Sequence, residues 1–241
     1  VDKKLDVARA EEGIRRLARA GFESSMIEAS FIIGMPGESP LTVRESADFV
    51  RRNHLAVYRT HVATPFPGTR LYADLIKKGV ITPDNELQHV RSLADAHTYM
   101  MTINLTNYPD DEVLSWIQWF DAENRINFLR YRLPLILKKY RPRRIVIYGA
   151  ALTGRMIVDI LQETGCYELA LVDGITGGQG DRYREIAIED PTARVLADAE
   201  VIIIATPDPY QYQGIKDKLV SAFNLQESRI TGAYRGRLNR G

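Results

Sequence analysis

One cysteine, Cys166, is all the thiol chemistry this 241-residue sequence offers, so a disulfide framework is excluded. An excess of charge is missing too. Lys and Arg number 32 against 31 Asp and Glu, and no overall field draws the protein to nucleic acid or to an acidic membrane. No apolar run is long enough to span a bilayer, and nothing at the start has the basic and apolar regions of a secretory signal. The four histidines, His54, His61, His89 and His97, lack the close spacing of a protein-held metal. These absences lead to the expectation of a cytoplasmic protein with no membrane or nucleic-acid partner, and a hydrophobic content of 45% supplies it with a core.

What is present is a regular alternation of elements. Val7, Ala10, Ile14, Leu17 and Ala18 recur at helical spacing and predict a helix over about residues 4–20, ended by Gly21-Phe22. IEASFIIG (27–34) reads as a strand, and Ser39-Pro40 as an N-cap with proline behind it, opening a helix to about Arg52. VYRTHVAT (57–64) is the next strand; Thr69 caps a further helix that Lys77-Lys78-Gly79 closes. Residues 1–79 therefore read αβαβα, the spacing of parallel α/β folds. The chain opens at Val1, without an initiator Met, almost directly into a helix, and reads as a piece of something longer. The expected partner is the missing N-terminal part of the same protein.

Both strands end on a Pro-Gly phrase: FIIGMPGE at 31–38 and HVATPFPGT at 61–69. Proline stops the hydrogen-bond ladder, and glycine lets backbone approach a flat ligand. Two neighbouring strand ends of this kind are candidates for one ligand surface, while tight βα turns would account for Pro-Gly alone. Alternation puts Arg59, His61 and Ala63 on one face of the second strand, where His61 is either a substrate-facing or a core histidine.

Residues 80–143 hold a polar stretch and then a helix from about Asp110, in which Trp116, Trp119, Phe120, Ile126, Phe128 and Leu129 read as core. Between Arg130 and Arg144 stand seven basic residues and no acidic one, which reads most simply as a linker, with phosphate or polyanion binding as the alternative. Residues 144–241 form the last segment. RIVIYGAALTGRMIVDILQETG is a buried strand, a glycine turn and a helix; YELALVDG is a strand ending in Asp173; AEVIIIATPDPY is a strand running into Thr206-Pro207. Cys166 is expected to be a buried structural thiol.

SFIIGMPGESPLTVRESADFV followed by HVATPFPGTRLYADLIKKG resembles the fifth and sixth βα units of the radical SAM barrel, in the branch whose members often carry a cobalamin-binding domain. The resemblance implies S-adenosylmethionine and a [4Fe-4S] cluster as cofactors and leaves cobalamin open as a third. It implies that the adenine is lined by Ile32, Gly34 and Glu38 and by Thr64, Pro65 and Phe66. The family's acidic residue commonly sits three places after the glycine, whereas Glu38 is four after Gly34. Its three clustered cysteines, on the loop of the first strand, are absent from this chain. The resemblance thus covers about residues 1–130, the last third of the barrel and its extension, and the chain alone is expected to be inactive. The parent reaction implied is reductive cleavage of S-adenosylmethionine, then hydrogen abstraction or methyl transfer on a small-molecule substrate.

The last segment resembles the Rossmann modules that bind nucleotides. Gly149-Ala150-Ala151-Leu152-Thr153-Gly154 keeps the outer glycines of GxGxxG and puts Ala151 at the middle one, where a pyrophosphate normally approaches. Asp173 stands where a ribose-binding acid is expected, with Thr206 after the later strand, and the ligand class implied is NAD or a nucleotide sugar. Glycines serving helix packing alone are the alternative. Tyr212 and Lys216 have the YxxxK spacing of short-chain dehydrogenases but come too soon after the glycine turn, and chance explains them. The fold class expected is α/β: partial radical SAM barrel units and a helical extension, then a Rossmann-like parallel sheet. Three functions stay open: a radical SAM enzyme fragment, a cobalamin-dependent methyltransferase among its forms; an NAD- or nucleotide-sugar-dependent enzyme built on residues 144–241; and a non-catalytic interaction module.

Overall fold

A computed structural model describes residues 6–94, 101–175 and 180–234; His97 lies outside them. The fold is α/β and divides into two compact units, Val1–Asn127 and Phe128–Gly241.

In the first unit, α1 (Val7–Arg19) is capped by Asp6, whose carboxylate accepts from the Ala8 N–H. It leads to β1 (Glu28–Ile33), α2 (Pro40–Arg52), β2 (Val57–Val62), α3 (Arg70–Lys77), α4 (Pro83–Ala94) and α5 (Asp110–Tyr140). The start of α2 follows the sequence signal: Ser39 and Thr42 form a reciprocal capping box, with Pro40 in the first turn. The two strands pair in parallel, with Ile32 opposite His61 and Ile33 opposite Val62. Strand alternation then sorts the side chains by face. Phe31 and Ile33 of β1 and Tyr58 and Val62 of β2 turn inward against Val43, Ala47 and Val50 of α2 and Val113, Trp116, Ile117 and Phe120 of α5. Phe31 meets Tyr58 and Phe120 edge-on, with centroids 5.6 and 5.3 Å apart. On the other face Ser30, Ile32 and Arg59 are exposed and His61 partly so, and Arg59 pairs with Glu28 at 2.7 Å.

In the second unit, β3 (Arg144–Tyr148), α6 (Leu152–Thr164), β4 (Glu168–Val172), β5 (Arg182–Tyr183), β6 (Ile186–Glu189), α7 (Ala193–Ala197), β7 (Val201–Ile204), α8 (Pro209–Phe223) and β8 (Ile230–Gly232) follow one another. They build one sheet in the order β5-β6-β4-β3-β7-β8, parallel except for the β5–β6 hairpin. Ile145 and Ile147 pack with Ile157 and Leu161 of α6 and with Leu129, Leu133 and Ile136 of α5. Val146 and Tyr148 pack with Val195 and Leu196 of α7 and Leu219 of α8. Helices on both faces leave no side of the central strands wet, which is why RIVIY and VIII read as unbroken apolar runs.

Two expectations are corrected. The basic stretch expected to be a linker continues α5 as far as Tyr140. Leu129, Leu133 and Ile136 form a fully buried helical stripe, while Arg130, Lys138 and Lys139 take the outer side. Charge on one side of a helix therefore looked, residue by residue, like a solvated run. Pro134 inside this helix is exposed, so the N–H it lacks is on the solvent side. Cys166 is exposed, because it follows the end of α6 at Gly165 and precedes the buried part of β4. No helix among the described residues is long and apolar enough to cross a membrane.

Candidate functional site

The residues singled out by the sequence fall into two groups, one in each unit. In the first, the two Pro-Gly loops leave the same edge of the β1–β2 pair: Ala63 N–H donates to the Ile33 carbonyl at 2.8 Å, continuing the ladder to the loop mouths. Gly34 has φ +92°, a region that favours glycine, and a methyl group at its Cα would lie 3.9 Å from the Ala63 Cβ. Ile32, half-exposed on the outward face, and Phe66, 52% exposed on the second loop, present apolar surface at this edge. Thr64 donates its hydroxyl to the Val62 carbonyl, and Pro65 is buried.

Glu38 does something the sequence did not reveal. Its Oε2 accepts from the N–H groups of Gly34 and Met35, so the carboxylate closes its own loop. Burial pushes its pKa up, and the two backbone donors oppose that without cancelling it. Between the unfolded and folded values the native state holds a proton that the unfolded chain has released. Stability therefore falls as pH rises through that window above the ordinary carboxylate range. Glu38→Gln keeps an acceptor for the loop and removes the charge, so urea midpoints should lose this slope and be no lower at neutral pH. Glu38→Ala leaves two N–H groups unmet and should cost about 1–3 kcal/mol. Equal midpoints for the two variants would count against this role.

A further residue of this edge was missed. His89 of α4 is buried and donates from Nε2 to the Pro65 carbonyl at 2.9 Å. The helix that carries it had a signal in Thr82-Pro83, with Asp84 and Glu86 in the first turn.

The second group gathers at the carboxyl edge of the six-stranded sheet. β3 pairs with β4 on one side and β7 on the other, so the strand order reverses at β3, the kind of place where open α/β sheets bind ligands. Gly149 turns the chain there with φ +109°, and Gly154 comes so near that a methyl group on it would lie 1.8 Å from the Gly149 carbonyl oxygen. Asp173 ties the turn to the end of β4: Oδ2 accepts from Ala150 N–H and Oδ1 from Ile175 N–H, each at 2.8 Å. Two of its roughly four acceptor directions are thus engaged by backbone. Burial and then the Asp173 charge push the Tyr148 phenol up, keeping it protonated. Arg155, also missed, donates from Nε to the Ala150 carbonyl at 3.0 Å and lies over the Tyr183 ring.

Ala151 is the N-cap of α6, in extended backbone, with no side-chain hydrogen bond to the first turn. Thr206 accepts from Asp208 N–H and donates to Gln211, opening α8. Around this edge Leu152, Ile175 and Tyr210 are 54, 86 and 87% exposed, more than any other large apolar residue described in the unit. Away from the edge, Tyr212 packs against the core and Lys216 pairs with Glu227.

Among the described residues no three His, Cys, Asp or Glu side chains gather as a metal ion requires, and Cys166 lies in the other unit from the Pro-Gly loops. The donor set does not fit an iron–sulfur cluster. No protein-family model, curated protein or solved structure matches the chain.

Proposed function

We propose that the chain is the C-terminal part of a radical SAM enzyme and holds the adenine side of the S-adenosylmethionine site, with the cluster ligands on a preceding segment. One observation carries the reading. Both Pro-Gly loops open side by side at the carboxyl edge of adjacent parallel strands, with Ile32 and Phe66 exposed beside them. The pair is otherwise incomplete as a sheet: among the described residues it has two strands, one face covered and the other open, where isolated parallel pairs are marginal. Ile32 and Phe66 supply apolar contact for a flat base. Gly34 offers it a carbonyl, since its N–H is held by Glu38. The test is the coding sequence ahead of Val1. An in-frame C-x-x-x-C-x-x-C supports the reading, and its absence removes it. Residues 1–241, reconstituted anaerobically with iron and sulfide, should show no cluster absorption, whereas the chain extended through those cysteines should.

A second reading concerns Phe128–Gly241, a Rossmann-like unit that takes NAD or a nucleotide sugar. It is favoured by the meeting of Gly149, Asp173 and Thr206 at the strand-order reversal, rimmed by exposed Leu152, Ile175 and Tyr210. Ala151 obstructs a pyrophosphate, so Ala151→Gly should tighten binding about tenfold, and Asp173 should repel a 2′-phosphate and favour NAD over NADP. Calorimetry of the full chain and this variant with NAD, NADP and UDP-sugars measures both. Silence from both proteins would reduce the glycines to packing residues.

A further inference from the structure

The imidazole of His89 is a buried polar group that neither reading uses. The residue is 6% exposed, and its Nε2 donates to Pro65 across 2.9 Å. Among the described residues Nδ1 is buried without a hydrogen-bond partner. Such a nitrogen is best left as a bare lone pair, so the ring is the Nε2–H tautomer and its one donor is spent on the loop. Tyr72 of α3 lies beside the imidazole, centroids 5.9 Å apart, and donates its hydroxyl to Glu86 of α4 at 2.7 Å. Both helices therefore hold the ring in place.

The loop gripped by His89 is poor in donors of its own. Pro65 and Pro67 have no N–H, and their rings fix φ at both positions. The Phe66 carbonyl accepts from the Thr69 N–H at 3.1 Å and from its hydroxyl at 2.7 Å. What these constraints leave loose is the peptide plane between Pro65 and Phe66, whose oxygen is the one His89 engages. Fixing that plane fixes the direction in which the half-exposed Phe66 leaves the backbone.

We propose that His89 is a positioning residue, which locks the Pro65–Phe66 peptide so that Phe66 stands as a preformed platform for a flat ring at the edge of β2. That the flat ring is adenine rests on the radical SAM reading; the lock itself does not. His89→Phe keeps the ring volume and loses the donor, whereas His89→Gln restores an N–H near the Nε2 position. In the full chain, amide exchange at Thr69 should become about tenfold faster in His89→Phe, return toward the wild-type rate in His89→Gln, and stay unchanged in Phe128–Gly241. Nitrogen NMR of the wild-type imidazole should show the Nε2–H tautomer. Unchanged Thr69 exchange in His89→Phe, or the same broad loss of protection in both variants, overturns the proposal. Titration with S-adenosylmethionine separates the two ideas. If wild type binds, His89→Phe should bind about tenfold more weakly, and equal binding overturns the lock's role in recognition. If wild type does not bind while Thr69 exchange responds as stated, the adenine reading fails and the lock stands.

Discussion

Gly154→Ala is expected to cost the C-terminal unit about 3 kcal/mol or more, a large share of the roughly 5–15 kcal/mol by which a domain is stable. The added methyl group would lie 1.8 Å from the Gly149 carbonyl oxygen and 3.0 Å from its carbonyl carbon, both backbone atoms. Neither can swing aside like the end of a side chain. Ile157 and Leu161 of α6 are fully buried, so withdrawing the helix to relieve the clash would open the core. Ala151→Gly is the contrast, since Ala151 is exposed in ordinary extended backbone and should change stability by less than 1 kcal/mol. Near-ultraviolet dichroism and urea unfolding of both proteins measure the difference. A Gly154→Ala protein within 0.5 kcal/mol of wild type would mean that the helix does not approach the turn as described.

Phe120→Ala should destabilise the N-terminal unit by about 3–5 kcal/mol. Phe120 is fully buried among Phe31, Tyr58 and Trp119, and its carbonyl accepts the Tyr58 hydroxyl at 2.9 Å. Removing the ring takes the support from beneath both strands that carry the Pro-Gly loops. Loss of amide protection along β1 and β2 should accompany the drop in the urea midpoint, whereas Trp119→Ala, at a residue 36% exposed, should cost much less. Equal losses from the two substitutions would contradict the packing described.

The parts of this fold that were legible are those whose cause is local. Ser39-Pro40 carries its own N-cap, Thr69 likewise, and the apolar runs of β3 and β7 report burial on both faces. α4 had a start signal in Thr82-Pro83 but no pattern to follow it, because its outward Leu87 and Val90 are exposed at 61 and 40%, and its buried face is made by a histidine. No apolar stripe marked it. The basic end of α5 misled for the reverse reason: a narrow buried stripe was hidden among cations. Of the candidate site, the sequence located the strand ends but not how they are used. Glu38 and Asp173 look like ligand-binding acids, and both accept from the chain's own backbone. Which oxygen meets which N–H depends on loops from different elements coming together, and no spacing in one segment encodes that.

The central position of β3 bears on how the protein is made. It is the first strand of its sheet to leave the ribosome, yet it pairs on both sides with strands that come later, Leu169 and Val201 both meeting Ile145. At synthesis rates of about 5–20 residues per second, roughly 3–11 seconds separate Ile145 from Val201. For that time a stretch of Ile and Val with high strand propensity has an unfilled edge, the kind of segment that aggregates from nascent chains. Arg141, Arg143 and Arg144 stand immediately before it. Arg141 and Arg143 are exposed, and charges flanking an apolar strand are the gatekeepers that lower its tendency to aggregate.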